Sequence, residues 1–309
     1  MSGLWNEFDG RMDDALRQSN GKKIVVWGYG ASGKFLAHYF RRKNRIIDVI
    51  IDDNVNFPFE MHVFQSVILD ELSSSDYFVI CDFAEESNVD QILESHGYIR
   101  DVSYIWLRKW LGQEYNRKVS YYDWLDYRFG TDISEVVYNS QGDNIFYSYG
   151  SDYALVDVLD NFYLDDQSVF DFGFGKAGTL IMFAEHKAKK IGGVEYDSKL
   201  YKIGEDNLKK CGINSYELYN MDAAKITTEI DGYTLFYMYN PFRGEIFRKV
   251  ISNIEESYSR NPRRILFLYS GTAQHKDVVK NEKFRLVRKI FNDYWSKYTN
   301  IYVMDGATI

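Results

Sequence analysis

The sequence predicts an α/β protein with two tandem doubly wound parallel sheets, and three observations carry that expectation. Short β-branched apolar runs alternate with stretches of helical periodicity, the rhythm of parallel strands joined by crossover helices. The rhythm begins twice, near residues 23 and 168, each time with a strand-like run that enters a glycine-rich turn. Between the two series, residues 105–148 break the pattern with a stretch rich in Trp, Tyr and charge. The expected organisation is a helical segment over 1–20, a first α/β domain over 21–104, an aromatic-rich helical connector over 105–148 and a second α/β domain over 149–309.

Residues 23–27 (KIVVW) have the length and branching of a buried strand. A helix follows, with Phe35, Leu36, Tyr39 and Phe40 on one face. Strands are expected at 46–51 and 77–81, and a helix that closes near His96. In the connector, aromatic residues at near-helical spacing predict a helix whose rings pack between the domains, with a stacking surface for sugars or bases as the alternative. The second series predicts helices at 152–163, 179–187, 198–210, 245–258 and 283–295. Its strands are expected at 168–172, 191–195, 216–219, 233–239, 264–269 and 301–304, leaving room for only one strand after the fifth.

Bulk properties narrow the function. The chain has 309 residues and a net charge of −8, which argues against nucleic acid as a partner. The two cysteines, Cys81 and Cys211, have no CxxC spacing, so no metal site is expected and buried thiols in a reducing cytoplasm are. No apolar run is long enough to span a membrane. The first residues lack the plan of a signal peptide, so a cytoplasmic location is expected. Oligomeric state is left open.

In the second series, four signals recur in order, each at the C-terminal end of an expected strand, where open α/β sheets bind ligands. The first is Asp171-Phe172-Gly173-Phe174-Gly175-Lys176-Ala177-Gly178. Its glycines let backbone approach a ligand closely, and the following helix N-terminus favours negative charge. The second is Glu195, in Gly193-Val194-Glu195-Tyr196-Asp197, whose carboxylate is suited to ribose hydroxyls. The third is Asp222-Ala223, suited to the exocyclic amine of an adenine. The fourth is Tyr239-Asn240-Pro241-Phe242.

The segment running from VFDFGFGKAGTLIMFAE through IGGVEYDSKLYKIGEDNLKK and YNMDAAK to LFYMYNPF resembles the class I S-adenosylmethionine (SAM)-dependent methyltransferases. The resemblance covers about half the chain and implies a methyltransferase fold for the second sheet, with SAM as cofactor. It implies that Asp171, Gly173, Gly175, Lys176 and Gly178 form the methionine-side loop, that Glu195 holds the ribose, and that Asp222 with Ala223 borders the adenine. It implies further that Asn240 and Pro241 face the methyl group and the acceptor, which is a nitrogen or an oxygen. Two departures stand out. Ala177 replaces the family's third loop glycine, where positive φ would strain an alanine. The terminal hairpin is expected to be short or incomplete. For an oxygen acceptor, His275 is the candidate general base.

In the first series, Gly28-Tyr29-Gly30-Ala31-Ser32-Gly33 fits a dinucleotide turn, and Asp52 falls at the end of the next strand, near the ribose position for NAD. This makes 21–104 a Rossmann-like domain of nucleotide-binding type. It resembles the truncated Rossmann-like domains of bacterial sugar-modifying enzymes, which implies a nucleotide or nucleotide-sugar ligand, a carbohydrate or other polar small-molecule acceptor and a role in glycan modification. Two further readings stay open: an NAD-dependent oxidoreductase using this domain, and a non-catalytic nucleotide-binding or scaffold protein.

Overall fold

The computed structural model describes residues 2–53, 63–81, 88–107, 120–149, 155, 158–159, 164–271, 273–292 and 297–305. The chain divides into two units, Met1–Tyr127 and Arg128–Ile309.

The first unit contains α1 (Ser2–Gln18), β1 (Lys23–Trp27), α2 (Ala31–Arg42), β2 (Val49–Ile51), β3 (Val63–Phe64), β4 (Tyr77–Cys81), α3 (Val89–Ser95) and β5 (Tyr104–Trp106). Helix α4 (Tyr121–Phe129) carries the chain across the boundary. The five strands form one parallel sheet in the order β3-β2-β1-β4-β5. Strands β3 and β5 were not among the expected elements, because two or three residues are too few to show a period of two. Ile24 to Trp27 are fully buried, as the uninterrupted apolar run requires in a sheet covered on both faces.

Aromatic residues on three helices build much of this unit's core. Trp5 and Phe8 of α1 meet Phe35 and Tyr39 of α2, and Tyr39 meets Trp124 of α4 edge-on at 5.2 Å. The Trp124 indole N–H donates to Asp9 at 3.0 Å, so its one polar atom is satisfied in the core. The aromatic residues of α4, read from sequence as packing between domains, thus serve the first unit itself.

The second unit contains β6 (Ser168–Phe172), α5 (Gly178–Glu185), β7 (Lys190–Glu195), α6 (Ser198–Lys210), β8 (Glu217–Asn220) and β9 (Leu235–Met238). It continues with α7 (Gly244–Arg260), β10 (Ile265–Ser270), α8 (His275–Val279), β11 (Arg285–Asn292) and β12 (Lys297–Met304). Of the helix expected over 152–163, Leu155, Val158 and Leu159 are helical and buried, and its other residues lie outside the described ones. The sheet order is β11-β12-β10-β9-β6-β7-β8, with β12 antiparallel to both neighbours and the other pairings parallel. Counted within the unit this is 3-2-1-4-5-7-6 with a reversed seventh strand, the topology of the class I methyltransferase fold.

Three expectations are corrected here. The helix expected over 283–295 is replaced by β11 at Arg285–Asn292, and residues 293–295 lie outside the described ones. Leu286, Val287, Ile290 and Phe291 fit helical and extended spacing alike, and pairing along β12 decides the matter. The terminal hairpin, expected to be short or incomplete, therefore pairs two eight-residue strands, with β12 running antiparallel to its neighbours. Among the described residues, the connector is helical at Leu107 and over α4. Residues 137–147 form a short antiparallel hairpin, with Val137 opposite Tyr147 and Gln141 opposite Asn144.

One face of the second sheet packs on α7. Phe170, Phe172, Phe236, Met238, Phe267, Tyr269 and Tyr302 meet Phe247, Val250 and Ile254 in a continuous buried cluster. Asp171 alternates to the opposite face, between Phe170 and Phe172.

Candidate functional site

Strands β9, β6, β7 and β8 lie side by side, and their C-terminal ends form one edge. The chain winds outward in opposite directions from β6 and β9, which opens a crevice at that edge. The loop after β6 enters it. The Gly173 N–H donates to the Val194 carbonyl at 2.8 Å, fastening the loop to the end of β7.

Glu195, at the end of β7, is 9% exposed. Its carboxylate accepts from the Gly175 N–H at 2.9 Å and from the Asp197 N–H at 2.8 Å. Burial raises its pKa, while those two N–H groups pull it back down. Asp171 is 2% exposed and accepts a hydrogen bond from the Thr179 hydroxyl on the first turn of α5. Desolvation pushes Asp171 up to about 7; the Thr179 bond opposes this and the nearby Glu195 charge adds to it. Two carboxyl groups that burial holds back from ionising therefore lie beneath one glycine loop.

Ala177 stands at the N-cap of α5 with φ +65°, so the left-handed conformation expected at the missing third glycine is present. Holding an alanine there costs about 1 kcal/mol. Gly178 begins the helix and is buried. Lys176 turns out of the loop: its side chain is 1% exposed, and its ammonium donates to Asp132 at 2.6 Å and to the Glu135 carbonyl at 3.0 Å.

The loop glycines make room for this chain's own side chains. A Cβ on Gly173 (φ +81°) would stand 2.3 Å from the Pro241 Cβ, and one on Gly175 (φ +56°) 2.4 Å from the Tyr147 ring. Gly175→Ala is expected to lower unfolding stability by about 1–3 kcal/mol in a urea titration, from left-handed strain and displacement of Tyr147.

Tyr147 belongs to the 137–147 hairpin, which is tied to several parts of the edge. The Asn139 side-chain amide donates to Asp197 at 2.9 Å, and the Ile145 N–H donates to the Pro241 carbonyl at 3.0 Å. Asp143 accepts from the Glu245 N–H at 3.2 Å through its carboxylate, and from the Arg243 N–H at 3.0 Å through its carbonyl. Buried Asn207 of α6 joins in, accepting from the Asp132 N–H at 3.0 Å and donating to the Lys176 carbonyl at 3.0 Å. Sequence reasoning passed over these residues because it treated 105–148 as helix. The signal was present: Gln141-Gly142-Asp143-Asn144 is a turn sequence, flanked by Val136-Val137-Tyr138 and Ile145-Phe146-Tyr147.

At the end of β8, the Asn220 side-chain amide donates to the Glu195 carbonyl at 2.9 Å and holds the β7 and β8 ends together. Asp222 caps the following turn by accepting from the Ala224 N–H at 2.9 Å, and Ala223 is buried. Asn253 of α7 donates to the carbonyls of Ala224 and Ile226, fixing this turn from below.

After β9, Asn240 takes φ +47°. Its side-chain oxygen is 3.3 Å from the Tyr269 hydroxyl. His275 begins α8, with Nδ1 2.5 Å from the Tyr302 hydroxyl and its ring stacked on Tyr302. Burial and the Lys289 charge lower its pKa, so the imidazole is neutral near pH 7. The structure thus gathers Asp171, Gly173, Gly175, Glu195, Asp222, Asn240 and Pro241 along one edge, and directs Lys176 and His275 onto protein partners.

In the first unit, the Tyr29 N–H donates to Asp52 at 2.8 Å, so the β2-end carboxylate braces the turn after β1. Gly28 has φ +103°, Gly30 is exposed, and Gly33 lets α2 approach β1, since a Cβ there would lie 2.3 Å from the Gly28 carbonyl oxygen. Among the described residues, no group of His, Cys, Asp and Glu is placed to hold a metal ion, and no helix is long and apolar enough to cross a membrane.

No known family profile matches the chain. A 60-residue stretch, 19% of the chain, is 40% identical to an uncharacterized protein of Methanocaldococcus jannaschii and spans 23% of that relative's length. Among solved structures, a SAM-dependent methyltransferase from Aquifex aeolicus is similar over 48% of this chain and 87% of its own, with 11% identity and a TM-score of 0.39. An RNA methyltransferase from Salinibacter ruber, solved with S-adenosyl-L-homocysteine, is similar over 50% of this chain and 90% of its own, with 16% identity and a TM-score of 0.39. The class I methyltransferase fold of the second unit stands on its strand order.

Proposed function

We propose that the second unit is a SAM-dependent methyltransferase acting on a sugar, a nucleotide sugar or a related polar small molecule. The observation that carries this reading is the line of Asp171, Glu195, Asp222 and Asn240 along the C-terminal ends of four adjacent strands, in the class I order. The donor set fits the cofactor. Buried Asp171 and Glu195 suit a ligand that brings positive charge, and among the described residues no cationic side chain is one of the groups that shift either carboxyl. Glu195 accepts hydrogen bonds, as ribose hydroxyls require, and Asp222 keeps one carboxylate oxygen beyond the one engaged by Ala224.

When bound, SAM supplies a methyl group made electrophilic by a positive sulfur. The work left to the chain is to hold and orient the partners. Glu195 and Asp222 fix the nucleoside end, and the loop from Gly173 to Gly178 fixes the amino-acid end. Asn240 and Pro241 stand where the acceptor enters. His275 is not needed for an acceptor that arrives without a proton to lose.

The sugar-type substrate is supported by the likeness of the first series to domains of sugar-modifying enzymes. In this proposal the first unit, read as 21–104, binds a nucleotide or nucleotide sugar at Gly28, Gly30, Gly33 and Asp52, and the protein works in the cytoplasm. Calorimetric titration of the whole chain with SAM, NAD and UDP tests the reading. Saturable SAM binding is the expected result. Binding of NAD without SAM would overturn it in favour of an oxidoreductase, and binding of neither cofactor would favour a scaffold.

A further inference from the structure

The hydrogen bonds around Asn240 and Pro241 bear on which atom accepts the methyl group. An amine acceptor is steered by oxygen atoms that receive its N–H groups. The two candidates at this position are the Asn240 side-chain oxygen and the Pro241 carbonyl. Each already receives one hydrogen bond from the protein, which leaves one lone pair on each. The Pro241 carbonyl receives the Ile145 N–H at 3.0 Å, in a stretch where Asn144 also bridges to Phe242.

The orientation of the Asn240 amide follows from a short chain of donors. The Gln274 N–H donates to the Tyr269 hydroxyl oxygen at 3.3 Å. Burial pushes Tyr269 up to about 12, so the phenol keeps its proton near neutral pH. That proton needs an acceptor, and the Asn240 oxygen lies 3.3 Å away. Oδ1 therefore faces Tyr269 and Nδ2 faces away. Among the described residues, Nδ2 donates to no protein acceptor. Asn240 is partly exposed and stands two residues beyond the end of β9, at the ligand edge. The edge offers the acceptor a hydrogen-bond donor beside two oxygens that each already receive one hydrogen bond from the protein.

We propose that the methyl acceptor is an oxygen atom, of a hydroxyl or a carboxylate, and that Asn240 selects it by donating from Nδ2. This rests on the methyltransferase reading above. In the transfer, an acceptor-oxygen lone pair forms the new O–CH3 bond as the S–CH3 bond breaks, and that bonding pair returns to sulfur as a neutral thioether. A carboxylate has no proton to release, and a hydroxyl passes its proton to water. Tyr269 is a positioning residue that fixes the orientation of the amide.

The test uses the full chain, methyl-labelled SAM and matched acceptors that differ at one position: a hydroxy sugar, its amino counterpart and its uronic acid. The expected result is at least about tenfold higher kcat/KM for an oxygen member than for the amino member. Asn240→Asp should lower oxygen transfer about 100-fold with little change in SAM affinity, because a carboxylate donates nothing to an oxygen. Tyr269→Phe should narrow the oxygen-to-nitrogen ratio, which a merely structural role would leave alone. Transfer to the amino member at an equal or higher rate overturns the proposal.

A second measurement needs no substrate. In the chain saturated with S-adenosyl-L-homocysteine, the Asn240 side-chain amide protons, identified by their loss in Asn240→Asp, should shift on titration with acetate or methanol and stay put with methylammonium. Acetate and methanol separate the carboxylate and hydroxyl forms of the proposal. An equal response to methylammonium, or no response to any of the three, overturns it. Failure of the chain to bind S-adenosyl-L-homocysteine removes the parent reading, whereas binding with amine preference removes this inference alone.

Discussion

Glu195→Ala is expected to weaken SAM binding by at least about 100-fold, roughly 3 kcal/mol. Two effects add. The variant loses the carboxylate proposed to receive the ribose hydroxyls. It also leaves the Gly175 and Asp197 N–H groups without the acceptor they have at 2.9 and 2.8 Å, so the glycine loop loses one of its ties to β7. Glu195→Gln separates the two, because the amide oxygen keeps one acceptor while the charge is lost. It should fall between wild type and Glu195→Ala in a calorimetric titration. Equal affinity in all three proteins would contradict a cofactor role for this side chain.

The second large effect concerns Asp171 and pH. Its pKa is raised in the folded chain from 3.8 to about 7 by complete burial. Between those values the folded state holds a proton that the unfolded state has released. The resulting stabilisation is fully present below about pH 4 and is lost as pH rises through about 7. Asp171→Asn removes this titration, and its amide oxygen can still accept from Thr179. Relative to wild type, the variant's unfolding free energy should therefore rise by about 2–4 kcal/mol between pH 4 and pH 8. Urea titrations at the two pH values check this. A parallel course of the two proteins would show that Asp171 is ionised at little cost. If bound SAM stabilises the carboxylate, saturating SAM should flatten the wild-type curve.

Much of the architecture was legible because the relevant strands are central. All five residues of β6 and all six of β10 are buried, and such strands must read as continuous apolar runs. Asp171 and Glu195 were legible for the same reason, since each lies at the end of a buried run. Edge strands follow other rules. β11 carries Arg285, Arg288 and Lys289 and a register shift between Leu286 and Arg288, features that protect an open edge and blur its periodicity. The hairpin over 137–147 was obscured by its neighbourhood. The aromatic residues of α4 set a helical pattern just before it, and the turn at Gly142-Asp143 went unread. The partners of Lys176 lay beyond sequence altogether. Nothing in the spacing of Asp132 and Lys176 announces a 2.6 Å ion pair across 44 residues. Likewise, the bare backbone at Gly173 and Gly175 signalled close approach, but the approaching groups are Pro241 and Tyr147.

A crystal structure of the chain grown with S-adenosyl-L-homocysteine would locate the cofactor site outright. The ligand is expected at the C-terminal edge of β6 to β9, with its ribose hydroxyls on Glu195, its adenine beside Asp222 and Ala223, and its sulfur facing Asn240. A ligand bound instead at the Gly28 turn of the first unit, or an edge that stays closed to it at saturating concentration, would rule out a cofactor site in the second unit.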